Sequence, residues 1–345
     1  MIFNPKDSYC FKTSSNSSKI LYNDSRKRKV DYINPYLSTA KVKTIPKRKI
    51  QISGLKEMVL GNMPNCYGGL QFSSQEREEL TNRYPITNKY LKKVIGSKEL
   101  IRGTERWCLW INDEDYKDVK EIPPLAERFK MISRKREESK KASYIKFAGR
   151  PYRFVEIRHK VGPVLIIPGT SSENREYIPI GFADEKVIIN NLAFAVYKPE
   201  SYLFSIITSK MHMLWIKNVC GSLETRIRYS SVLGYNTFPF PKISRTMKDL
   251  LLGNMFEILE EREKYSDKTL AELYNKEKIP TGLKEAHLKN DISVEKCYRQ
   301  APFTNDNERL DYLFSLYEQM IELEQNENTL FADVVKKKRK RRINA

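Results

Sequence analysis

The sequence predicts an α+β protein, a mixed, β-rich domain followed by a small helical domain. Two observations carry this. Between Arg153 and Tyr197 the runs RFVEIR, VLIIP, EYIPIGF, KVIIN and AFAVY are short and β-branched or aromatic, and Gly, Pro, Ser and Asn separate them, as in strands joined by turns. After Phe238-Pro239-Phe240-Pro241 the character turns helical, with Met247, Leu251, Met255, Ile258 and Leu259 recurring at helical spacing. At 345 residues the chain has room for two domains with cores of their own.

Residues 1 to about 55 mix Ser, Asn and Lys with little helical periodicity, and Pro35 and Pro46 interrupt any long element. From Gly61 onward the spacing predicts a helix over Ser74–Arg83 and another over Lys89–Lys93. A mixed-charge helix over Leu125–Lys141 follows, with Leu125, Phe129 and Ile132 at i, i+4 and i+7. Beyond the strand runs, a helix over Tyr202–Val219 places Phe204, Ile207, Met211 and Trp215 on one face, a stripe that reads as core rather than binding surface. Asn305 and Glu308 have capping-box spacing and open a last helix whose buried face is Leu310, Leu313, Phe314, Tyr317 and Ile321. No internal repeat is found.

The formal charge is +19, but its distribution matters more than its size. Residues 1–50 carry +9 and the run Lys336–Arg342 adds +7, which leaves only +3 on residues 51–335. Basic ends of this kind are usually solvated and bind polyanions without sequence preference. Residues 146–241 hold twelve basic against seven acidic side chains, a modest excess that suits a groove reader better than a bulk polycation. The five cysteines, at 10, 66, 108, 220 and 297, include no C-x-x-C pair, so neither a disulfide framework nor a zinc knuckle is indicated. Nothing reads as a membrane span or secretory signal, and the expected location is cytoplasmic.

Catalytic motifs are largely missing. An amino-methyltransferase needs Asn or Asp followed by Pro-Pro and an aromatic, so that oxygens accept from the exocyclic amine while the ring stacks on the flipped base. Asn34-Pro35-Tyr36 lacks the second proline, and Ile122-Pro123-Pro124-Leu125 lacks both the polar acceptor and the aromatic. No Gly-rich turn of the kind that admits S-adenosylmethionine is present. Glu138-Ser139-Lys140 has the form of a nuclease triplet but sits in a helical KREESKK run. His159, His212 and His287 are too widely spaced to suggest a ligand set, and His212 reads as a structural histidine near the core.

Reading bases takes side chains with two-point hydrogen-bonding geometry: Arg for guanine, Asn or Gln for adenine, Glu for cytosine. Glu224-Thr225-Arg226-Ile227-Arg228 supplies such types in alternation, so an extended chain presents Glu224, Arg226 and Arg228 on one face and Thr225 and Ile227 on the other. The same pattern also fits an ordinary solvent-facing strand with salt bridges at i, i+2. Tyr229, Ser230 and Ser231 are candidates for phosphate contact. Glu173-Asn174-Arg175 and Asn190-Asn191 are further candidate clusters, and the asparagines equally suit turns.

Several segments together resemble one family: Ile33–Leu37 (INPYL), Gly61–Pro64 (GNMP) with Gly68-Gly69-Leu70, Glu105–Trp110 (ERWCLW), Ser171–Pro179, the stretch Ser201–Pro241, Leu270–Tyr274, Ala286-His287, and Glu308-Arg309-Leu310 through Tyr317. They are similar to the rear portion of MmeI-like type IIL restriction-modification enzymes, in which a nuclease, an adenine methyltransferase, a DNA-reading domain and a helical tail share one polypeptide. The resemblance implies a methyltransferase edge and linker over 1–60, a β-rich target-recognition domain over 61–241, a C-terminal helical domain over 242–335 and a disordered basic tail over 336–345. It implies sequence-specific recognition of duplex DNA for adenine methylation, and it favours DNA contact for the Glu224–Arg228 strand. With no catalytic, cofactor or metal residues recognised, S-adenosylmethionine is expected in a separate methyltransferase or nuclease polypeptide docking on residues 1–60; otherwise the chain is the remnant of an interrupted gene. Two rival expectations are a complete enzyme with an unrecognised active site and a nonspecific nucleic-acid or scaffold protein acting through its basic ends.

Overall fold

The computed structural model describes the backbone of residues 44–223 and 226–343 together with four short strands before them, and side chains over 44–221 and 226–326. Those strands, β1 (Ile2–Asn4), β2 (Ser8–Phe11), β3 (Lys19–Asn23) and β4 (Arg26–Val30), form an antiparallel meander. Ile33–Leu37 and Glu224 lie outside the described residues.

The next stretch carries β5 (Val59–Leu60), β6 (Gln71–Phe72), α1 (Ser74–Arg83), β7 (Leu91–Ile95), α2 (Ser97–Arg102), β8 (Trp107–Leu109), α3 (Pro123–Glu137) and α4 (Ala142–Ile145). Helix α1 starts where Ser73 and Glu76 close a reciprocal capping box, the Glu76 amide donating to Ser73 Oγ at 3.1 Å and the Ser73 amide to the Glu76 carboxylate at 2.8 Å. The helix predicted over Lys89–Lys93 is instead a short 3-10 turn ending at Tyr90 followed by β7, because Leu91–Ile95 pairs on both edges, with β8 and with β12 (Ile188–Ile189). Between α4 and β12 run β9 (Val164–Pro168), β10 (Thr170–Ser171) and β11 (Gly181–Ala183); β13 (Ala193–Tyr197) follows β12. The RFVEIR run forms no strand, only a bridge from Glu156 to Met63, and EYIPIGF contributes strand only over Gly181–Ala183, past Pro179, whose missing N–H cannot serve a ladder.

Two four-stranded sheets result, ordered β12-β7-β8-β6 and β11-β9-β13-β5. They are stitched together where β12 turns into β13. The Asn190 amide donates to Ile95 O at 2.9 Å, the Asn62 amide to Ile189 O at 2.7 Å, and the Gly61 amide to Ala193 O at 2.9 Å. Gly61 must be glycine, since a Cβ would run into the Asn190 carbonyl. Asn62 is fully buried and bonds at both ends of its amide, donating to Ile189 O and accepting from the amides of Arg158 and His159. This accounts for the Gly-Asn of the GNMP segment as a joint between sheets.

The predicted helix over Tyr202–Val219 is two helices, α5 (Leu203–Ile207) and α6 (Lys210–Val219), because Ser209 adopts an extended conformation and caps α6. The stripe Phe204, Ile207, Met211 and Trp215 is buried as expected. Strands β14 (Ser222–Leu223) and β15 (Arg226–Arg228) join β10 in a third sheet, ordered β10-β15-β14. Helices α7 (Arg245–Glu263), α8 (Leu270–Leu273), α9 (Thr281–Tyr298) and α10 (Asp306–Ile343) complete the chain. Asn305 Oδ1 accepts from the Glu308 amide at 3.0 Å, but the Glu308 carboxylate returns to Thr304 instead of Asn305. Helix α10 has no Pro or Gly in its sequence, and its backbone continues through Lys336–Arg342. Among the described residues, no helix is long and apolar enough to cross a membrane.

The largest buried cluster crosses residue 241 without a break, running from Ile45 and Leu165 through Trp215 and Phe238 to Leu251, Leu283, Phe314 and Tyr317. Polar bonds reinforce this union around the segment after β10. Tyr177 stacks on His287 with centroids 4.1 Å apart and donates to Asp291 Oδ2 at 2.8 Å, Arg262 Nη1 donates to Ile180 O at 2.8 Å, and the Lys276 amide donates to Asn174 O at 3.1 Å. Tyr274 links Arg262 Nε, at 2.7 Å, to His287 Nε2, at 2.8 Å.

Burial raises the Asp291 carboxyl to about 7, against the lowering pull of the Lys210 amide and the Tyr177 hydroxyl. The folded state therefore keeps a proton that the unfolded chain, titrating near 3.8, has released, so stability falls as pH rises between those values. Relative to Asp291→Asn, the wild-type chain should lose about 2 kcal/mol between pH 5 and pH 7, at about 1.36 kcal/mol per unit. Urea unfolding of both proteins at the two pH values checks this; a constant difference would refute it.

Candidate nucleic-acid interface

A cleft of about 1280 Å³ opens where the third sheet meets α2. One edge of the cleft is formed by β15, in which Arg226 and Arg228 are exposed on either side of the buried Ile227. Pairing of Ser171 with Ile227 and of Thr170 with Arg228, continued by the Tyr229 amide donating to Gly169 O at 3.0 Å, fixes that edge against the end of β9. Helix α2 is anchored by Ser97, whose hydroxyl donates to Leu192 O and accepts from the Gly169 amide at 2.9 Å. Lys98 and Arg102, one helical turn apart and both exposed, thereby line the cleft.

Arg175 comes from the turn after β10. Its Nη1 reaches Ser171 Oγ at 3.4 Å, and its Nε is buried without a hydrogen-bond partner. Burial lowers the Arg175 pKa, the neighbouring Arg102 charge lowers it further, and Glu173 acts in the opposite sense.

Among the described residues, six cations line the cleft, Lys47, Lys98, Arg102, Arg175, Arg226 and Arg228, against one carboxylate, Glu173. Elsewhere basic side chains find acidic partners, as in Lys93–Glu105 at 2.9 Å, Arg153–Asp113 at 2.9 Å and Arg309–Glu295 at 2.7 Å. Lys47, Lys98, Arg102, Arg226 and Arg228 form no ion pair or side-chain hydrogen bond with any described residue. A concave surface rich in Arg and Lys that mostly lack acidic partners among the described residues, lined also by Phe194 and Leu60, is chemically suited to a polyanion with flat polar edges.

Residues 39–242 match the family model for the MmeI target recognition domain. The chain belongs to the MmeI target-recognition family. Residues 254–323 match the model for the MmeI C-terminal domain. The chain is similar to DNA methyltransferase A of Bacillus subtilis (strain 168), at 42% identity over 305 residues, 88% of this chain and 35% of that protein. It is also similar to the type IIL restriction-modification enzyme MmeI solved in complex with DNA, with a TM-score of 0.83 and 30% identity over 91% of this chain and 45% of the other. The chain thus spans about a third of the length of the methyltransferase and under half of that MmeI chain.

Within this MmeI-type recognition domain, the structure brings Glu173, Arg175, Asn191, Arg226, Arg228, Tyr229 and Ser230 to one cleft. Two candidates sit beneath the surface instead. Asn190 is buried and its Oδ1 accepts from the Leu192 amide at 2.9 Å, so it shapes the turn that presents Asn191. The buried Tyr229 hydroxyl shares a 2.8 Å hydrogen bond with His212 Nε2, which corrects the expectation of a phosphate contact through that group. His212 is fully buried and burial lowers its pKa to about 3, so it is a neutral structural histidine, as expected. Ser230 accepts from the Leu233 amide at 3.3 Å and caps the turn at the cleft rim. Sequence reading missed Lys47, Lys98, Ile101 and Arg102. Lys98 and Arg102 carry one legible signal, a basic pair at i, i+4, but only tertiary packing brings them beside β15.

Proposed function

We propose that this chain is the DNA-reading part of an adenine-specific methyltransferase of a restriction-modification system, acting in the cytoplasm on duplex DNA. The observation that carries this reading is the cationic cleft whose Arg226 and Arg228 have no partner among the described residues. Their guanidinium forks match the two acceptors of guanine in the major groove, and Asn191 and Glu173 supply types suited to adenine and cytosine. Membership of the recognition family supports the assignment, as does the likeness to an enzyme solved with DNA.

Methyl transfer from S-adenosylmethionine is assigned, on this reading, to a methyltransferase region or separate polypeptide outside the described residues. The strand-glycine-helix turn Ile95-Gly96-Ser97 is filled by the Asn190 side chain, which occupies the space a Cβ at Gly96 would need, so no adenosine can approach that backbone. No step of the chemistry is therefore placed on these residues.

Selection of bound duplexes from a randomised library, at moderate salt with competitor DNA, tests the proposal. Enrichment of one short, adenine-containing site is expected. Retention of DNA without any enriched sequence would defeat it in favour of nonspecific binding through the basic ends.

A further inference from the structure

The cleft contains two kinds of cation, and their surroundings separate them. Arg226 and Arg228 stand alternately on a strand, each fork without a partner among the described residues. Lys98 and Arg102 share one face of α2, and Arg102 lies close enough to Arg175 for its charge to act on that half-buried guanidinium. Arg175 Nε, buried and without a partner, leaves this group incompletely satisfied.

Two adjacent guanidinium groups with a lysine one turn away repel one another beside the one described carboxylate, Glu173, and base edges, which carry only partial charges, cannot offset the excess positive charge. A phosphodiester can: each carries a full negative charge and oxygens that accept two N–H bonds from one Arg fork. The Lys98 ammonium is a point charge without the two-point geometry that distinguishes bases. Ser97, bonded to both Leu192 and Gly169, fixes this wall at the corner from which β10 departs, so whatever the wall grips is held in register with β15.

Resting on the reading that the cleft takes duplex DNA, we propose that Lys98, Arg102 and Arg175 form a phosphate-gripping wall that positions the duplex backbone, while base discrimination belongs to β15. Each phosphate contact contributes roughly 0.9 to the slope of log affinity against log salt concentration. In the full chain, Lys98→Ala/Arg102→Ala should therefore flatten that slope by about 2 while leaving the rank order of preferred duplexes unchanged. Both residues are exposed and unpartnered among the described residues, and a thermal melt of the variant establishes that it folds. A wild-type slope, or a reordered preference, overturns the wall assignment. Absence of any DNA binding by the wild-type chain is a separate result that removes the cleft reading itself and the wall with it.

Discussion

Replacing Arg226 or Arg228 with alanine is expected to relax base preference at a defined position of the bound site, at a cost of about 1 to 3 kcal/mol in discrimination, or roughly 5- to 150-fold. Both side chains are exposed on β15, with Ile227 between them buried and holding the strand to β10, so the substitutions remove reading groups without removing the scaffold. Their effects need not add, since the two residues flank one position of the same strand. Arg228→Lys separates charge from geometry: the salt dependence should stay close to wild type while discrimination falls, because an ammonium lacks the fork. Library selections with wild type, each single variant and the double variant decide the matter. Identical enriched sequences throughout would exclude β15 as the reading edge.

Arg136→Met is expected to lower stability by about 3 to 5 kcal/mol, enough to threaten folding in a protein of ordinary marginal stability. Arg136 is fully buried with no carboxylate partner among the described residues, and its five N–H donors meet five backbone carbonyls: Asn65 at 3.1 Å, Phe147 and Arg150 at 3.0 Å, Pro64 at 3.0 Å and Arg153 at 2.8 Å. Methionine fills a similar volume but leaves the Pro64, Asn65 and Arg153 carbonyls without a donor among the described residues, while those of Phe147 and Arg150 keep only the Arg150 and Arg153 amides. Arg136→Lys keeps the charge yet offers three donors to five acceptors, so an intermediate loss should follow. Chemical denaturation of both variants, with Arg134→Met on the same helix but exposed as a control, measures the effect; equal midpoints for Arg134→Met and Arg136→Met would refute it.

Arg136 also marks where sequence reading stops. Leu125, Phe129 and Ile132 identify the buried stripe of α3, and position 136 continues that stripe by one more turn. A cation there looks like its solvated neighbours Arg134 and Lys135, because what makes it tolerable is a ring of carbonyls from residues up to 72 positions away. The alternation in Arg226-Ile227-Arg228 was legible because a strand places successive side chains on opposite faces whatever surrounds it. Asn190 and Tyr229 were legible as polar residues near the site but not as buried ones, since the Asn190 side chain packs against Gly96 and the Tyr229 hydroxyl bonds His212, contacts that come from packing between segments. The apolar stripes of α5, α6, α7 and α10 were readable by period alone. The strand at Leu91–Ile95 was not, because five residues carry too little periodicity to outweigh pairing with β8 and β12.

The bonds from Tyr177, Ile180 and Asn174 to α9, α7 and the Lys276 turn bear on how such proteins can be recombined. The turn bearing Glu173 and Arg175 takes its position partly from residues more than a hundred places later in the chain. A chimera joined at Pro241 would pair one parent's Tyr177 with another's His287 and Asp291, and an error in that contact would be passed to the cleft-lining turn without altering any residue of the cleft. Altered specificity is therefore best transplanted either as single side chains on β15 or as one block extending through Tyr317, with the helical segment inherited as part of the reading head.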